Sequence, residues 1–207
     1  MRKSLRIKVP FISQKSLIEK VNEFLRKYHP SGKIPVPIEQ IVELSLGITV
    51  IPIEKLKKNF GIDSYLSSDF RYIVIDQGCY DNFEERTRFT YAHEVGHFVL
   101  HKEIYQSQEI KDIGNYVKFQ NSLTVKNVKR LEFQAHIFAG YILMPPKQFG
   151  QSVDNLVKKT GGINSITTMD VGKIIQNLAS QYLVSGDVIF KQLKYERKDV
   201  FQKIFRS

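Results

Sequence analysis

The sequence predicts an α+β fold, with a small sheet beside a helical core and a smaller helical segment at the C-terminal end. Three observations predict it. Short apolar runs of strand character lie between residues 48 and 76. Two longer segments, 84–101 and 129–145, repeat apolar residues at helical spacing. Beyond Pro146 the chain changes to short amphipathic helices rich in basic residues. A chain of 207 residues can hold one substantial domain and a small appendage, and the expected division is 1–146 and 147–207, with the second segment expected to pack on the first.

The elements follow in order. Leu17, Ile18, Val21, Phe24 and Leu25 share one face of a helix over 16–28. Pro37 suits the first turn of a second helix, which Gly47 ends. Residues 48–53, 62–66 and 70–76 read as strands, with Ser67, Ser68 and Asp69 turning between the last two. Asp81 followed by Glu84 predicts a capping box, and Glu84 and Glu85 suit the N-terminal dipole of the next helix. Phe89, Ala92, Gly96, Val99 and Leu100 form its apolar stripe. Gly96 costs about 1 kcal/mol relative to Ala in a helix interior. A glycine there predicts a second element packed close to the backbone. The polar stretch 103–123 is a candidate lid or substrate loop, or a surface insertion. Leu131, Ala135, Phe138, Ala139 and Ile142 predict a helix that stops at Pro145-Pro146. Residues 153–159 read as a short helix closed by Gly161-Gly162. Helices over 169–182 and 186–195, joined at Leu183-Val184-Ser185, have helix-turn-helix spacing, with Leu183 where such turns usually carry glycine.

The chemistry concentrates in the two long helices. His93-Glu94-Val95-Gly96-His97 is an H-E-x-x-H motif. Residues four apart lie on one helix face, so His93 and His97 can close on one metal ion. Glu94 then points to the side where a bound water sits. Two imidazoles, an open coordination position and a general base are what zinc-assisted hydrolysis requires. In the second helix, Glu132 and His136 share a face and can both ligate metal. Of five histidines, only His29 lies outside these two segments. His101, one turn past His97, reads as a hydrogen-bonded histidine at the helix end. Tyr91, Tyr141 and His101 are the nearby candidates for stabilising an oxyanion.

Taken together, the two segments resemble the ImmA/IrrE family of metallopeptidases. Arg86, Phe89, Thr90, Ala92, His93, Glu94, Gly96, His97 and His101 stand where that family reads R-x-x-F-T-x-A-H-E-x-G-H-x-x-x-H. Glu132, Phe133, Gln134, Ala135, His136, Phe138, Ala139, Ile142, Leu143, Met144 and Pro145 match the second pattern except at His136, where the family usually has Asn. The resemblance extends over residues 7–146. It implies a zincin-like fold of gluzincin type. It also implies zinc ligands His93, His97 and Glu132, with Glu94 as the base. His136 either orients a ligand from outside the coordination sphere or ligates the metal and closes the open position. The three-ligand set common to catalytic zinc sites favours the first.

The resemblance further implies a zinc endopeptidase whose protein substrate is a helix-turn-helix repressor, cut to derepress phage, mobile-element or stress genes. Two rivals are a DNA-binding regulator with a structural zinc site and a catalytically silent partner-binding module of a toxin–antitoxin or phage system. The formal net charge of +10 and pI of about 9.5 keep direct nucleic-acid binding in view, through Lys191, Lys194, Arg197 and Lys198. The alternatives for that charge are steering of an acidic partner and solubility alone. No apolar run reaches the ~18 residues of a membrane span. The first ten residues lack a signal-peptide core. The lone Cys79 allows no internal disulfide, which suits the cytoplasm. An extended substrate is expected to pair with a sheet edge formed near 70–76.

Overall fold

The structure is a computed structural model that describes residues 7–205. Residues 1–6, most of the N-terminal stretch without a signal-peptide core, lie outside the described residues. The sheet consists of β1 (Thr49–Ile53), β2 (Ser64–Leu66) and β3 (Tyr72–Asp76) in the order β1-β3-β2. β1 pairs with β3 in parallel and β2 pairs with it antiparallel. Ile73, Val74 and Ile75 are all buried, so the apolar run of β3 is covered on both faces, as a central strand requires. The expected free edge at 70–76 therefore does not exist. β3 spends its backbone groups on two neighbours, and the outer strands are β1 and β2.

α1 (Gln14–Tyr28) precedes the sheet in the chain; beside the sheet lie α2 (Ile38–Gln40) continuing as a π turn over Ile41–Ser45, α3 (Leu56–Phe60) and α4 (Gln77–Asn82). The two motif helices are α5 (Glu84–Leu100) and α8 (Val125–Leu143), separated by α6 (Lys102–Gln106) and α7 (Ile113–Ser122). They are followed by α9 (Pro146–Lys159), α10 (Thr168–Tyr182), α11 (Gly186–Glu196) and α12 (Lys198–Phe205). No described helix is long and apolar enough to cross a membrane.

Several local expectations change. Asp81 does not cap α5: it lies in α4, where its carboxylate accepts hydrogen bonds from the Gln77 amide. Asp76 caps α4 instead, accepting from the Cys79 N–H, so the chain is already helical at Asp81. Phe83 breaks that helix, and α5 starts at Glu84 without a side-chain cap; Glu84 and Glu85 still occupy its first turn. The stretch 103–123 is not a loop. Asp112 caps α7, and Tyr105, Ile110, Tyr116 and Phe119 bury into the core between its polar residues. The helix expected at 153–159 begins earlier, at Pro146, a residue suited to a first helical turn.

The C-terminal helices join the same hydrophobic core, through Val171, Ile174, Leu178, Ile189, Leu193 and Val200. Leu183 adopts φ 50° between α10 and α11. A left-handed conformation costs a non-glycine residue about 1–2 kcal/mol. Arg88 helps to offset it. This buried guanidinium donates through Nε to the Leu183 carbonyl (3.1 Å), through Nη2 to the Val36 carbonyl (2.7 Å) and through Nη1 to both Glu39 oxygens (2.8 Å). One arginine of α5 thus ties the turn of the helix-turn-helix-like unit to the start of α2.

Gly96 sets the approach of α5 to α8. A Cβ there meets Ala135 Cα and O at 2.9 Å and its Cβ at 3.2 Å. Because these are backbone atoms of a packed helix, they cannot swing aside. Gly96→Ala gains about 1 kcal/mol of helix propensity, while overpacking of this kind costs about 1–3 kcal/mol. We expect net destabilisation with weakened metal binding, read by thermal unfolding and zinc titration. An unchanged melting temperature and zinc affinity would show that the contact is not tight.

Candidate metal centre

α5 and α8 bring three side chains to one point. His93 Nε2 and His97 Nε2 lie 3.1 Å apart. Glu132 Oε2 lies 3.1 Å from His93 Nε2 and 3.8 Å from His97 Nε2. The one-turn spacing of the histidines supplies the first pair, and the close Gly96–Ala135 contact lets Glu132 reach across from α8. Tetrahedral zinc with bonds of about 2.0–2.1 Å places its ligand atoms about 3.3 Å apart. The three separations fit that geometry. His97 is buried, and Glu132 Oε1 is buried without a hydrogen-bond partner. Two imidazole nitrogens and a carboxylate converging in this way form a donor set for one divalent cation.

The electrostatics agree. Burial alone raises the Glu132 carboxyl, but the imidazoles of His97 and His93 outweigh it and hold the group far below the usual carboxylate range. It is therefore the anion that a ligand must be. Burial also disfavours the His93 cation, yet the hydrogen bond it donates to Glu132 and the charge of Glu94 reverse the balance and raise His93.

Glu94 is 2% exposed. Its Oε1 accepts a hydrogen bond from Ser64 Oγ at 2.6 Å, and its Oε2 has no partner. Both Ser64 and Glu94 line a cleft of about 1040 Å³. The floor of this cleft holds His93, Glu132 and His136; its walls come from Phe60 to Ser64, from Tyr116 and Gln120 of α7, and from Val188 and Lys191 of α11. A carboxylate with one oxygen fixed and the other free beside a metal site can accept a proton from a molecule in the cleft.

The other named candidates fall elsewhere. His136 is not part of the three-residue cluster. Its ring packs on Phe89, 4.8 Å between centroids, and burial, with the charges of His93 and Lys191, pushes it down to about 4. It is a neutral imidazole beside the centre. His101 is buried behind His97: its Nδ1 lies 3.1 Å from His97 Nδ1 and its Nε2 lies 2.9 Å from Gln134 Oε1. Burial and the neighbouring His97 push it down to about 3. It is the hydrogen-bonded helix-end histidine expected, and it does not face the cleft. Tyr91 and Tyr141 also leave the list of oxyanion donors. Tyr91 OH donates to Glu43, and Tyr141 OH bonds Gln14 and Glu196. Cys79 is buried beside Thr87. Sequence reasoning missed Ser64 and Gln134 as partners of site residues. Ser64 carries no local signal, since Glu94 lies 30 positions away.

The family model of the IrrE N-terminal-like domain matches residues 44–189. The chain belongs to this family. Both motifs and the whole three-residue cluster lie inside the matched range, which runs from the π turn before β1 into α11. A solved structure of a Mycobacterium tuberculosis transcriptional regulator shares the fold of this IrrE-like chain, with a TM-score of 0.53 at 13% identity. The likeness covers 86% of this chain and 46% of that one, so the chain spans just under half the length of that regulator. No curated protein matches the chain.

Proposed function

We propose that this IrrE-like protein is a zinc endopeptidase that cuts a helix-turn-helix repressor in the cytoplasm. The observation that carries the reading is the convergence of His93, His97 and Glu132 beside a buried carboxylate, Glu94, which lines the cleft and whose second oxygen is buried without a hydrogen-bond partner. His93, His97 and Glu132 would hold the ion. Zinc bound there supplies Lewis acidity, polarising a carbonyl and making water a stronger acid. Glu94, fixed by Ser64, accepts the proton of the attacking water and returns it to the leaving amine. His136 stays outside the coordination sphere. In this reading residues 1–146 carry the chemistry, and 147–207 close one wall of the cleft through Ser185, Asp187, Val188 and Lys191.

The free edge that serves an extended substrate is β2. Asp63 O and Ser67 N are hydrogen-bonded to β3. By antiparallel alternation, Ser64 directs its N–H and C=O the other way, along the cleft. A substrate strand paired there lies next to Glu94.

The DNA-binding rival loses ground for a specific reason. Of Lys191, Lys194, Arg197 and Lys198, Arg197 is bound to Asp154 (2.7 Å) and Asp199 (2.8 Å), and Lys191 lines the cleft. The net charge of +10 then serves to attract an acidic linker or tail of the repressor. Incubation of zinc-loaded protein with the repressor encoded beside it, read by mass, should give two fragments. Chelator should stop the cleavage, and raised salt should slow it by screening. Absence of fragments with zinc loaded, together with tight duplex binding by the full chain, would replace this reading with the regulator.

A further inference from the structure

A hydrogen-bond chain leads away from the centre on the side opposite the cleft. Gln134 is 3% exposed on α8. Its Nε2 donates to the Pro10 carbonyl at 2.8 Å. A carbonyl only accepts, so this contact fixes which end of the amide is nitrogen. Gln134 Oε1 must then accept from His101 Nε2 at 2.9 Å, which places the His101 proton on Nε2. A neutral imidazole carries one proton. His101 Nδ1 is therefore bare, and across 3.1 Å it can only accept from His97 Nδ1. His97 is left with a bare Nε2, the atom that faces His93 and Glu132. Each link follows from the one before, starting from a backbone carbonyl.

We propose that Gln134, held by the Pro10 carbonyl, is a positioning residue that sets the tautomer of His97 through His101 and so prepares Nε2 to bind metal. The inference rests on the reading of His97 as a ligand. It also gives the segment before α1 a role in the centre, although that segment precedes the family-matched range. The segment is anchored along α8: Asn127 Nδ2 donates to the Ile7 carbonyl at 2.7 Å, Arg130 Nη1 donates to the Val9 carbonyl at 2.8 Å, and Val9 is fully buried. Pro10 O is thus a fixed point rather than a mobile acceptor.

Two substitutions separate this role from simple packing. Gln134→Met keeps volume but removes the acceptor for His101. Gln134→Glu keeps an oxygen facing His101 whether or not it is protonated. A packing role predicts that methionine is tolerated and a buried carboxyl is not. The tautomer role predicts the reverse order for metal binding. In the metal-free full chain, nitrogen-detected NMR of the histidine side chains should show His97 protonated at Nδ1 and His101 at Nε2. Gln134→Met should mix both tautomers and weaken zinc binding about 10–100-fold, the usual effect of losing a partner behind a ligand. Gln134→Glu should keep both tautomers and lie within a few-fold of the unaltered protein. Finding His97 protonated at Nε2 in the unaltered protein overturns the proposal even if neither variant folds. Unchanged tautomers and zinc affinity in Gln134→Met overturn it as well. Failure of the unaltered protein to bind zinc overturns the ligand reading instead, and the metal-free tautomers still decide the chain of hydrogen bonds.

Discussion

Glu94→Gln is expected to abolish peptide hydrolysis while leaving zinc content and fold unchanged. The side chain is buried, so an isosteric change is needed to avoid a cavity. Glutamine keeps an oxygen to accept from Ser64 Oγ and replaces the free Oε2 with an amide nitrogen. That nitrogen cannot take a proton. General acid–base groups contribute about 10²–10⁴-fold to rate, so turnover should fall by at least that range. His97→Ala is the control in the opposite direction: it removes one of three converging ligand atoms and should empty the site. Zinc content by elemental analysis and cleavage of the repressor give the two readouts. If Glu94→Gln sheds zinc as readily as His97→Ala, Glu94 is holding the metal and is not the base.

Where local pattern decides structure, the chain was readable. His93 and His97 share a face because the helix period places them there. Gly96 announced a close neighbour, and Ala135 is that neighbour. The central placement of β3 was already implied by three consecutive apolar residues, Ile73 to Ile75, which suit a strand covered on both faces better than an edge. What could not be read depends on contacts between distant residues. Asp81 carries the right spacing for a capping box, but Asp76 starts a helix before it and consumes the position. Polar residues of 103–123 suggest a loop, yet the core closes on Tyr105, Tyr116 and Phe119, which are spaced among them. Ser64 meets Glu94 only because β2 is the outer strand on the side of α5. Pro10 meets Gln134 only because the N-terminal segment crosses α8. Such pairings belong to topology, and a single sequence without its fold holds no trace of them.

The same distinction bears on the helix-turn-helix-like unit. Its spacing is real in the sequence and in the structure, with α10 and α11 meeting at Leu183. Yet its turn is bound from within by Arg88, and the first residues of α11 line the cleft. A motif that elsewhere faces outward is here turned toward the site.

Glu132→Ala should lower zinc affinity by more than about a hundredfold, because even partners behind a ligand are worth about 10–100-fold and Glu132 supplies a ligand atom itself. The carboxylate is the only anionic member of the cluster, so its loss also removes the charge that balances the cation. His136→Asn, by contrast, should retain zinc within a few-fold. His136 lies one turn beyond Glu132 on α8, but its ring packs at a tilt against Phe89 and it is outside the converging set. Asparagine is a much weaker zinc ligand than imidazole, so a ligating His136 would show as a large loss of affinity. Titration of both variants against a chromophoric chelator gives the affinities, and cleavage assays on zinc-loaded protein give the activities. Retention in His136→Asn with loss in Glu132→Ala leaves three protein ligands and an open position, which hydrolysis needs. Strong loss in His136→Asn would mean a fourth protein ligand closes that position, and the structural-zinc reading would then replace the enzyme.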